Sequence, residues 1–382
     1  MRGYFDHNAT TPPSDAAKQA WAGAAERYWQ NPSGLYREAG EARRVLEDWR
    51  EALADHFGVE DAGRVVFTGG ATEANNFVIA HLAGCLSGCL VVSEIEHPCV
   101  EAAVYRSLDP SRVRRLPTDP ATGSADLAPL REWIARGEVG AVSLMAANNE
   151  TGALQPWASA ADLCREEGIP FHTDAAQWIG KRPVAGLGAA GYVTGSGHKF
   201  GGGKGVGFLL LPEDEGPVPF QGLVGGPQEQ GRRAGTEDLP GIAAMVTALL
   251  ERDGDRLADW ERCQGPRRDA FESRIAEEAG ARLLATAGER LWNTSMFVMP
   301  HSKNLKWLTR LGRRGFAVST GSACSAGKGN PSSVMMAMGL DFEEMGRVLR
   351  VSGGGGTAAE EWDDLAAALI EVGGELASPS SQ

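Results

Sequence analysis

Between residues 64 and 211, short uninterrupted apolar segments alternate with longer amphipathic stretches of helical periodicity. The apolar segments predict strands at 64–68, 89–93, 141–146, 170–174, 191–196 and 206–211. Alternation of this kind predicts an α/β fold with a mostly parallel sheet sandwiched between helices. Because the strand segments are apolar throughout, we expect the sheet to be buried on both faces. Two further helices are predicted before the first strand, at 14–28 and 39–57.

The pattern changes after a long helical region that contains Gly254. Beyond it, 293–300 and 315–320 read as strands among further helices, which is typical of a smaller α+β unit. The predicted domains are a large one at 1–255 and a small C-terminal one at 256–382. Residues 1–12 belong to the large domain by position, with packing against the small domain as an alternative.

The composition of the chain limits which kinds of partner and which cellular location we expect. The 382 residues carry a formal net charge of −13, which disfavours nucleic acid and anionic membrane surfaces as partners. No stretch approaches the ~20 apolar residues of a membrane span, and the N-terminal segment lacks the apolar core of a secretory signal. We therefore expect a cytoplasmic protein. The six cysteines show neither CxxC pairs nor zinc-ligand spacing, so no metal site is predicted.

Three polar features lie where predicted strands give way to loops, which is where open α/β sheets bind ligands. In FTGGATEANN (67–76), two glycines precede a helix whose first N–H groups, with the Thr72 hydroxyl, can hold an anion. Asp174 ends a buried strand, either as a helix cap or as the partner of a buried cation. Lys199 follows another strand among small residues, either solvated or as a desolvated amine able to form a Schiff base.

Each of these features alone is common, but together they match what pyridoxal 5'-phosphate (PLP) requires. The cofactor needs an amine for imine formation, a carboxylate that keeps its pyridine nitrogen protonated, and an anion cradle for its phosphate. The combination predicts PLP as the cofactor. A separate feature is Cys324, which stands in the small-residue run STGSACSAGKGN (319–330), where it is either incidental or a carrier of a chemical group.

The chain resembles cysteine desulfurases of the NifS/IscS type, within the class-V aminotransferase family of fold-type I PLP enzymes. The matching motifs, in chain order, are YFDHNATTP, NPSGLYREAGEARR, FTGGATEANN, SEIEHP, NNETG, HTDAAQ, GSGHK, RRAGTE, STGSACSAG and LRVSGG. The resemblance implies a fold-type I PLP-dependent transferase whose small C-terminal domain carries the catalytic cysteine. The GSACSAG loop, and the absence of the RxGHHCA motif, imply group I of the family.

The resemblance also implies a role for each matching residue. Lys199 would form the Schiff base and move protons, and Asp174 would pair with the pyridine nitrogen. Gln177 would hydrogen-bond the ring hydroxyl, and His97 would stack on the ring and assist proton transfer. Without the family, His97 reads equally well as a packed histidine at a strand end.

The remaining implied roles concern the phosphate and the substrate. The phosphate would be held by Ala71, Thr72, Ser196 and His198 of one subunit and by Thr236 of its neighbour, which implies a homodimer. Asn149, which would also contact the cofactor, and Arg350 would bind the substrate, with the Arg350 guanidinium forked onto its α-carboxylate. After Arg350, the run SGGGGT replaces a bulkier segment of the family.

The implied reaction converts L-cysteine to L-alanine, with the sulfur transferred to Cys324 as a persulfide. The persulfide would then pass to an acceptor or scaffold protein, as in iron–sulfur cluster assembly. The alternatives are a selenocysteine lyase or a cysteine C–S lyase of the same family. A non-enzymatic sulfur carrier is disfavoured because Lys199, Asp174 and Arg350 are all present.

Overall fold

The computed structural model describes residues 1–321 and 331–377. Within these ranges the helices are α1 (Asp15–Arg27), α2 (Arg37–His56), α3 (Ala71–Cys85), α4 (Pro98–Ser107), α5 (Ala128–Ala135), α6 (Trp157–Glu166), α7 (Leu239–Leu250), α8 (Gly254–Ala279), α9 (Asn304–Arg313), α10 (Ser333–Ala337), α11 (Phe342–Met345) and α12 (Ala359–Ala377). The strands are β1 (Gly3–Tyr4), β2 (Val65–Thr68), β3 (Cys89–Ser93), β4 (Val113–Leu116), β5 (Thr118–Asp119), β6 (Ser124–Ala125), β7 (Val139–Ser143), β8 (Phe171–Asp174), β9 (Tyr192–Ser196), β10 (Gly207–Leu210), β11 (Arg282–Leu283), β12 (Thr294–Val298), β13 (Phe316–Ala317) and β14 (Val348–Ser352).

The main sheet has the strand order β2-β10-β9-β8-β7-β3-β4. Neighbouring strands from β9 to β4 pair in parallel, whereas β10 is antiparallel to both β2 and β9. The predicted fold class, a mostly parallel sheet between helices, is therefore confirmed. Strand β4 was not among the predicted strands, because its sequence VRRL contains two arginines that only an edge strand tolerates.

Alternating residues of the inner strands pack into two different hydrophobic clusters. Phe208 and Leu210 of β10 belong to one cluster, and Leu209 belongs to the other. Val91 and Val92 of β3 are divided in the same way. Since each fully buried side chain of this kind contributes about 1.5–3 kcal/mol, both faces of the sheet are stabilised by burial.

The C-terminal part of the chain forms a second unit around the antiparallel sheet β11-β12-β14. Its cluster includes Phe271, Phe297, Trp307 and Trp362, and also Phe5 from the N-terminus. The N-terminal strand β1 pairs in parallel with β13, so the chain start packs on this unit. Helix α8 begins at residue 254, next to the proposed boundary at residue 255, which stays a prediction. Within the described ranges, no helix has both the length and the apolarity to cross a membrane.

The strand register brings the polar strand ends together at one end of the main sheet, where the parallel strands β8 and β9 finish. Gly207 of β10 lies between Ser196 of β9 and Thr68 of β2, and β8 ends beside β9 at Asp174. A Cβ atom on Gly207 would lie only 2.6 Å from the Cα atom of Gly70. Glycine at position 207 thus allows the turn after β2 to approach this end of the sheet closely.

Candidate active site

A cavity of about 530 Å³ opens at the end of the main sheet where β8 and β9 finish. The predicted site residues on its walls are Ala71, Thr72, His97, Asn149, Asp174, Gln177, Ser196, His198 and Lys199. Cys99 and Lys204, which were not predicted as site residues, also line the cavity. The structure therefore brings together residues from many separate segments of the chain around one space.

One end of the cavity is built to receive an anion. Gly70 caps α3 with φ 141°, a backbone conformation that favours glycine, and no side chain caps the helix. The first N–H groups of α3, from Ala71 onwards, lie at the cavity wall with the hydroxyl groups of Thr72 and Ser196. Lys204 adds a positive charge to the same walls. Such a helix start with hydroxyl donors and a cation suits a phosphate group.

His198 lies in the short turn that follows β9, and its imidazole is neutral near pH 7. Burial, together with the nearby charges of Lys199 and Lys204, lowers the pKa of His198 to about 4. Its Nδ1 lies 3.2 Å from the Thr10 hydroxyl, and its carbonyl accepts a hydrogen bond from the Thr11 N–H at 2.8 Å. His198 can therefore act as a neutral hydrogen-bond donor at the cavity wall rather than as a cation.

Asp174 is a buried carboxylate whose two oxygens are both held by donors of the chain. Its Oδ2 accepts from the Asn75 side-chain amide at 2.7 Å, and its Oδ1 accepts from the Ala176 N–H at 3.0 Å. The Asn75 Oδ1 in turn lies 2.6 Å from the Thr194 hydroxyl and 3.1 Å from the His172 Nε2. This fixes the Asn75 amide with its NH₂ group towards Asp174.

Asn75 lies in the motif FTGGATEANN but was not predicted as a site residue. Asn75 is fully buried on the side of α3 that also buries Ala71, Ala74 and Val78. An amide at a buried helix position is a signal that could have been noticed, because buried polar groups need hydrogen-bond partners. Which partner it would have, 99 positions further along the chain, could not be read from the sequence.

His97 is the N-cap residue of α4 and contacts Cys99. Its Nδ1 accepts a hydrogen bond from the Cys99 N–H at 3.2 Å, and the Cys99 Sγ lies 3.0 Å from the same nitrogen. Burial lowers the pKa of His97 and raises the pKa of the Cys99 thiol to about 12. The ring is therefore neutral, with Nδ1 as the acceptor and the proton on Nε2.

Lys199 is held by backbone carbonyl groups of the N-terminal segment. Its Nζ donates to the Asn8 carbonyl at 2.6 Å and to the Ala9 carbonyl at 3.1 Å. The Gln177 amide also donates to the Asn8 carbonyl, at 2.9 Å, and its Oε1 accepts from the Lys181 Nζ at 2.5 Å. Asn8 and Lys181 were not predicted, although both orient side chains at the cavity wall.

Arg350 lies on β14 beside the cavity but is not among its lining residues. Its Nη2 donates to the Asp6 carboxylate at 2.6 Å, and its Nη1 donates to the Asn149 carbonyl at 2.9 Å. The Arg350 side chain is only 3% exposed. The predicted contact between Arg350 and a substrate carboxylate therefore stays a prediction.

Two predicted residues are not part of the cavity as the structure describes it. Thr236 is exposed and does not line the cavity of its own chain, so its contact with a neighbouring subunit stays a prediction. Cys324 lies outside the described residues, and its role also stays a prediction.

Comparison with known proteins identifies the family of the chain. The model of the family described as aminotransferase class-V matches residues 3–365. The chain belongs to the class-V aminotransferase family. This confirms the resemblance on which the site residues were assigned.

Members of the class-V aminotransferase family that are similar to this chain include cysteine desulfurases. The cysteine desulfurase of Cereibacter sphaeroides is 36% identical over 383 residues, covering 98% of this chain and 96% of its own length. A solved NifS-like protein superposes with a TM-score of 0.87 at 28% identity, over 97% of this chain and 99% of that one. SspA, solved in complex with cysteine, has a TM-score of 0.76 at 30% identity, over 91% and 98% of the two chains.

The cavity residues fit PLP, the cofactor on which members of the class-V aminotransferase family depend. The uncapped start of α3, the Ser196 hydroxyl and the neutral His198 suit its phosphate, and the buried Asp174 carboxylate suits its pyridine nitrogen. Lys199, on the same cavity, supplies the amine. These residues together offer donors for the phosphate, a partner for the pyridine nitrogen and an amine.

Proposed function

We propose that the chain is a cysteine desulfurase, which converts L-cysteine to L-alanine and transfers the sulfur to Cys324 as a persulfide. The observation that carries the proposal is the position of Lys199, Asp174 and His97 on one cavity with an anion-binding end. The similarity to cysteine desulfurases along almost the whole chain supports this substrate.

PLP, when bound, supplies an electron sink for the negative charge that develops at the substrate Cα. Asp174, held by Asn75, would keep the pyridine nitrogen protonated, which the electron sink requires. The Lys199 amine, at the cavity wall, would take the proton from the substrate Cα. The neutral His97 can donate a hydrogen bond from Nε2, because its Nδ1 is occupied by Cys99.

In the sulfur-transfer step, the Cys324 thiolate would attack the sulfur atom of the substrate. A sulfur–sulfur bond forms as the carbon–sulfur bond of the substrate breaks, and the electron pair of that bond stays on the three-carbon skeleton. Protonation of this carbon gives the methyl group of alanine. The balance is one L-cysteine and one Cys324 thiol consumed, and one L-alanine and one Cys324 persulfide formed.

Substrate binding would require Arg350 to exchange one partner for another. The guanidinium that donates to Asp6 has the fork geometry that a substrate α-carboxylate needs. We propose that the substrate carboxylate replaces Asp6 on Arg350, next to Asn149 on the cavity wall.

The partners in the proposal are a second copy of the chain and a sulfur-acceptor or scaffold protein in the cytoplasm. Large hydrophobic side chains are exposed in the N-terminal helical region, among them Trp21, Trp29, Leu35 and Tyr36. Exposed apolar side chains of this size favour a subunit interface. In a homodimer, the exposed Thr236 would reach the phosphate of the neighbouring site.

The test measures alanine, sulfide and the visible absorbance of the purified protein supplied with PLP. We expect a yellow protein that produces alanine from L-cysteine, and a Cys324→Ala variant that keeps the colour but loses sulfide release in the presence of a thiol. Cys263→Ala removes an exposed free cysteine and serves as the matched control. Full sulfide release by Cys324→Ala, or faster alanine production from selenocysteine than from cysteine, would overturn the proposal.

A further inference from the structure

A second cavity, of about 310 Å³, shares Lys199 with the first cavity but is otherwise lined by different residues. Its walls come from the N-terminal segment, the start of α8 and the glycine run after β14. Of the lining residues, the proposed desulfurase reaction uses Lys199, and Lys181 holds the Gln177 side chain of the first cavity. At this volume, the second cavity is at the small end of the usual range of ligand sites, about 300–1,000 Å³.

The most unusual residue of the second cavity is Arg252. Its side chain is buried, with 8% of the residue exposed, and its guanidinium lies over the Trp260 ring at 5.4 Å. Its Nη1 donates to the Ala248 carbonyl at 2.6 Å. Among the described residues no carboxylate forms a salt bridge with Arg252, and its Nε and Nη2 donate to no protein atom.

The Glu251 carboxylate acts on Arg252 from nearby but forms no salt bridge with it, and burial of a guanidinium that stays charged is unfavourable because it removes hydration. Burial lowers the pKa of Arg252 to about 10, which still leaves the side chain charged near pH 7. Two free donors in the planar fork of an arginine match the two oxygens of a carboxylate. Arg252 thus presents to the cavity wall a donor pair that suits a carboxylate.

The other walls of the second cavity suit an apolar, planar body. Trp260 and Trp292 lie with their ring centroids 6.1 Å apart, and both line the cavity. A Cβ atom on Gly355 would lie 2.2 Å from the Trp260 ring, and one on Gly354 would lie 2.4 Å from the His7 ring. The glycine run thus packs its backbone directly on these rings and places no side chain in the cavity.

A second polar group faces the same space. His7 lines the cavity, and its buried Nδ1 has no hydrogen-bond partner among the described residues. Besides Arg252, the charged side chains that line the cavity are those of Lys181, Lys199 and Glu361.

We propose that the second cavity binds a small aromatic carboxylate, with its carboxylate on Arg252 and its ring in the part of the cavity lined by Trp260 and Trp292. This site is separate from the proposed substrate site at Arg350 and does not depend on the desulfurase reaction. Because both cavities share Lys199, binding in one is expected to be linked to the state of the other.

The test titrates the PLP-supplied protein with benzoate, followed by calorimetry and by saturation-transfer NMR, and uses benzyl alcohol as the neutral probe. We expect benzoate to bind in the millimolar range or tighter, and benzyl alcohol about tenfold or more weakly. Arg252→Gln should weaken benzoate binding by about tenfold or more. Arg262→Gln, which removes an exposed arginine of α8, is the matched control and should leave binding unchanged.

A second variant keeps Arg252 and adds a side chain at a lining position instead. A Cβ atom on Gly356 would meet no atom within 4 Å, so Gly356→Leu has space to fold and adds bulk at a residue that lines the cavity. It should weaken benzoate binding. Absence of benzoate binding to the wild type, equal binding of benzyl alcohol, or binding that survives Gly356→Leu but is lost in Arg350→Lys would each overturn the proposal, whether or not the protein is a desulfurase.

Discussion

The two ends of the candidate active site hold their charged groups in different ways. Asp174, on the proposed cofactor side, receives hydrogen bonds to both oxygens from Asn75 and from the backbone of its own segment. Arg350, on the proposed substrate side, donates to the Asp6 carboxylate, which is of the same chemical type as the substrate group it is proposed to bind.

Asp174 can therefore accept the pyridine nitrogen of the cofactor as it stands, whereas Arg350 must first release Asp6 before it can bind a substrate carboxylate. The donors to Asp174 are neutral, so they position the carboxylate without neutralising it. Asp6 neutralises Arg350, and a substrate carboxylate has to compete with it. We therefore expect cofactor binding to depend on the fixed position of the Asp174 carboxylate. Substrate binding is expected to depend on the exchange of Asp6 for the substrate carboxylate on Arg350.

The strongest disruption of the cofactor side is Asp174→Asn. An amide cannot hold a protonated pyridine nitrogen by charge, so we expect alanine production to fall by about 10³-fold or more. The visible absorbance maximum of the bound cofactor should shift as well. Asp55→Asn changes an exposed aspartate and is the control. Activity within tenfold of the wild type would contradict the role of Asp174.

Asn75→Ala tests whether positioning of Asp174 matters beyond its charge. Removal of the amide leaves Asp174 with one fewer donor, and we expect kcat to fall by about 10- to 100-fold with a smaller change in KM. Asn76→Ala removes a neighbouring amide that donates to the Thr72 carbonyl rather than to Asp174. Equal effects of the two substitutions on the cofactor spectrum would indicate a merely structural role for Asn75.

The contrast between Asp174 and Asn75 also shows how far the sequence alone could lead. Asp174 could be predicted because a carboxylate at the end of an apolar strand has no packing role, and because the family motif contains it. Asn75 could not be assigned, since its hydrogen bonds to Asp174 and Thr194 join positions far apart in the chain. The Asn8 carbonyl that holds Lys199 is a backbone group, which carries no residue-specific signal.

The same limit applies to the fold and to Arg350. The apolar inner strands could be predicted from their composition, whereas β4 could not, because its arginines are tolerated only at the sheet edge. The family resemblance implied that Arg350 binds the α-carboxylate of the substrate. Its ion pair with Asp6 forms between the two ends of the chain and depends on the packing of the N-terminal segment against β14.

Glu96, next to His97 on the cofactor side of the site, is expected to make the free energy of unfolding depend on pH. Burial raises the pKa of Glu96 to about 8, and its Oε1 accepts from the Ser93 hydroxyl at 2.6 Å. Between the ordinary carboxyl pKa and about 8, the unfolded chain loses this proton and the folded chain keeps it. The free energy of unfolding should therefore fall as pH rises through this window, by at most about 1.4 kcal/mol per pH unit.

Denaturant unfolding at several pH values measures this dependence. In Glu96→Gln the fall with pH should be smaller than in the wild type, whereas Glu51→Gln, at an exposed position, should behave as the wild type. Parallel pH profiles for the wild type and Glu96→Gln would show that Glu96 is ionised in the folded protein.

The smallest expected effect concerns the substrate side and tests the exchange directly. Asp6→Asn removes the negative charge that competes for Arg350, so the KM for L-cysteine should fall, by about fivefold at most for a partly exposed ion pair. The kcat should change little, because Asp6 does not line the cavity. A rise in KM would instead mean that Asp6 orients Arg350 for the substrate. Asp6 would then position Arg350 as Asn75 positions Asp174.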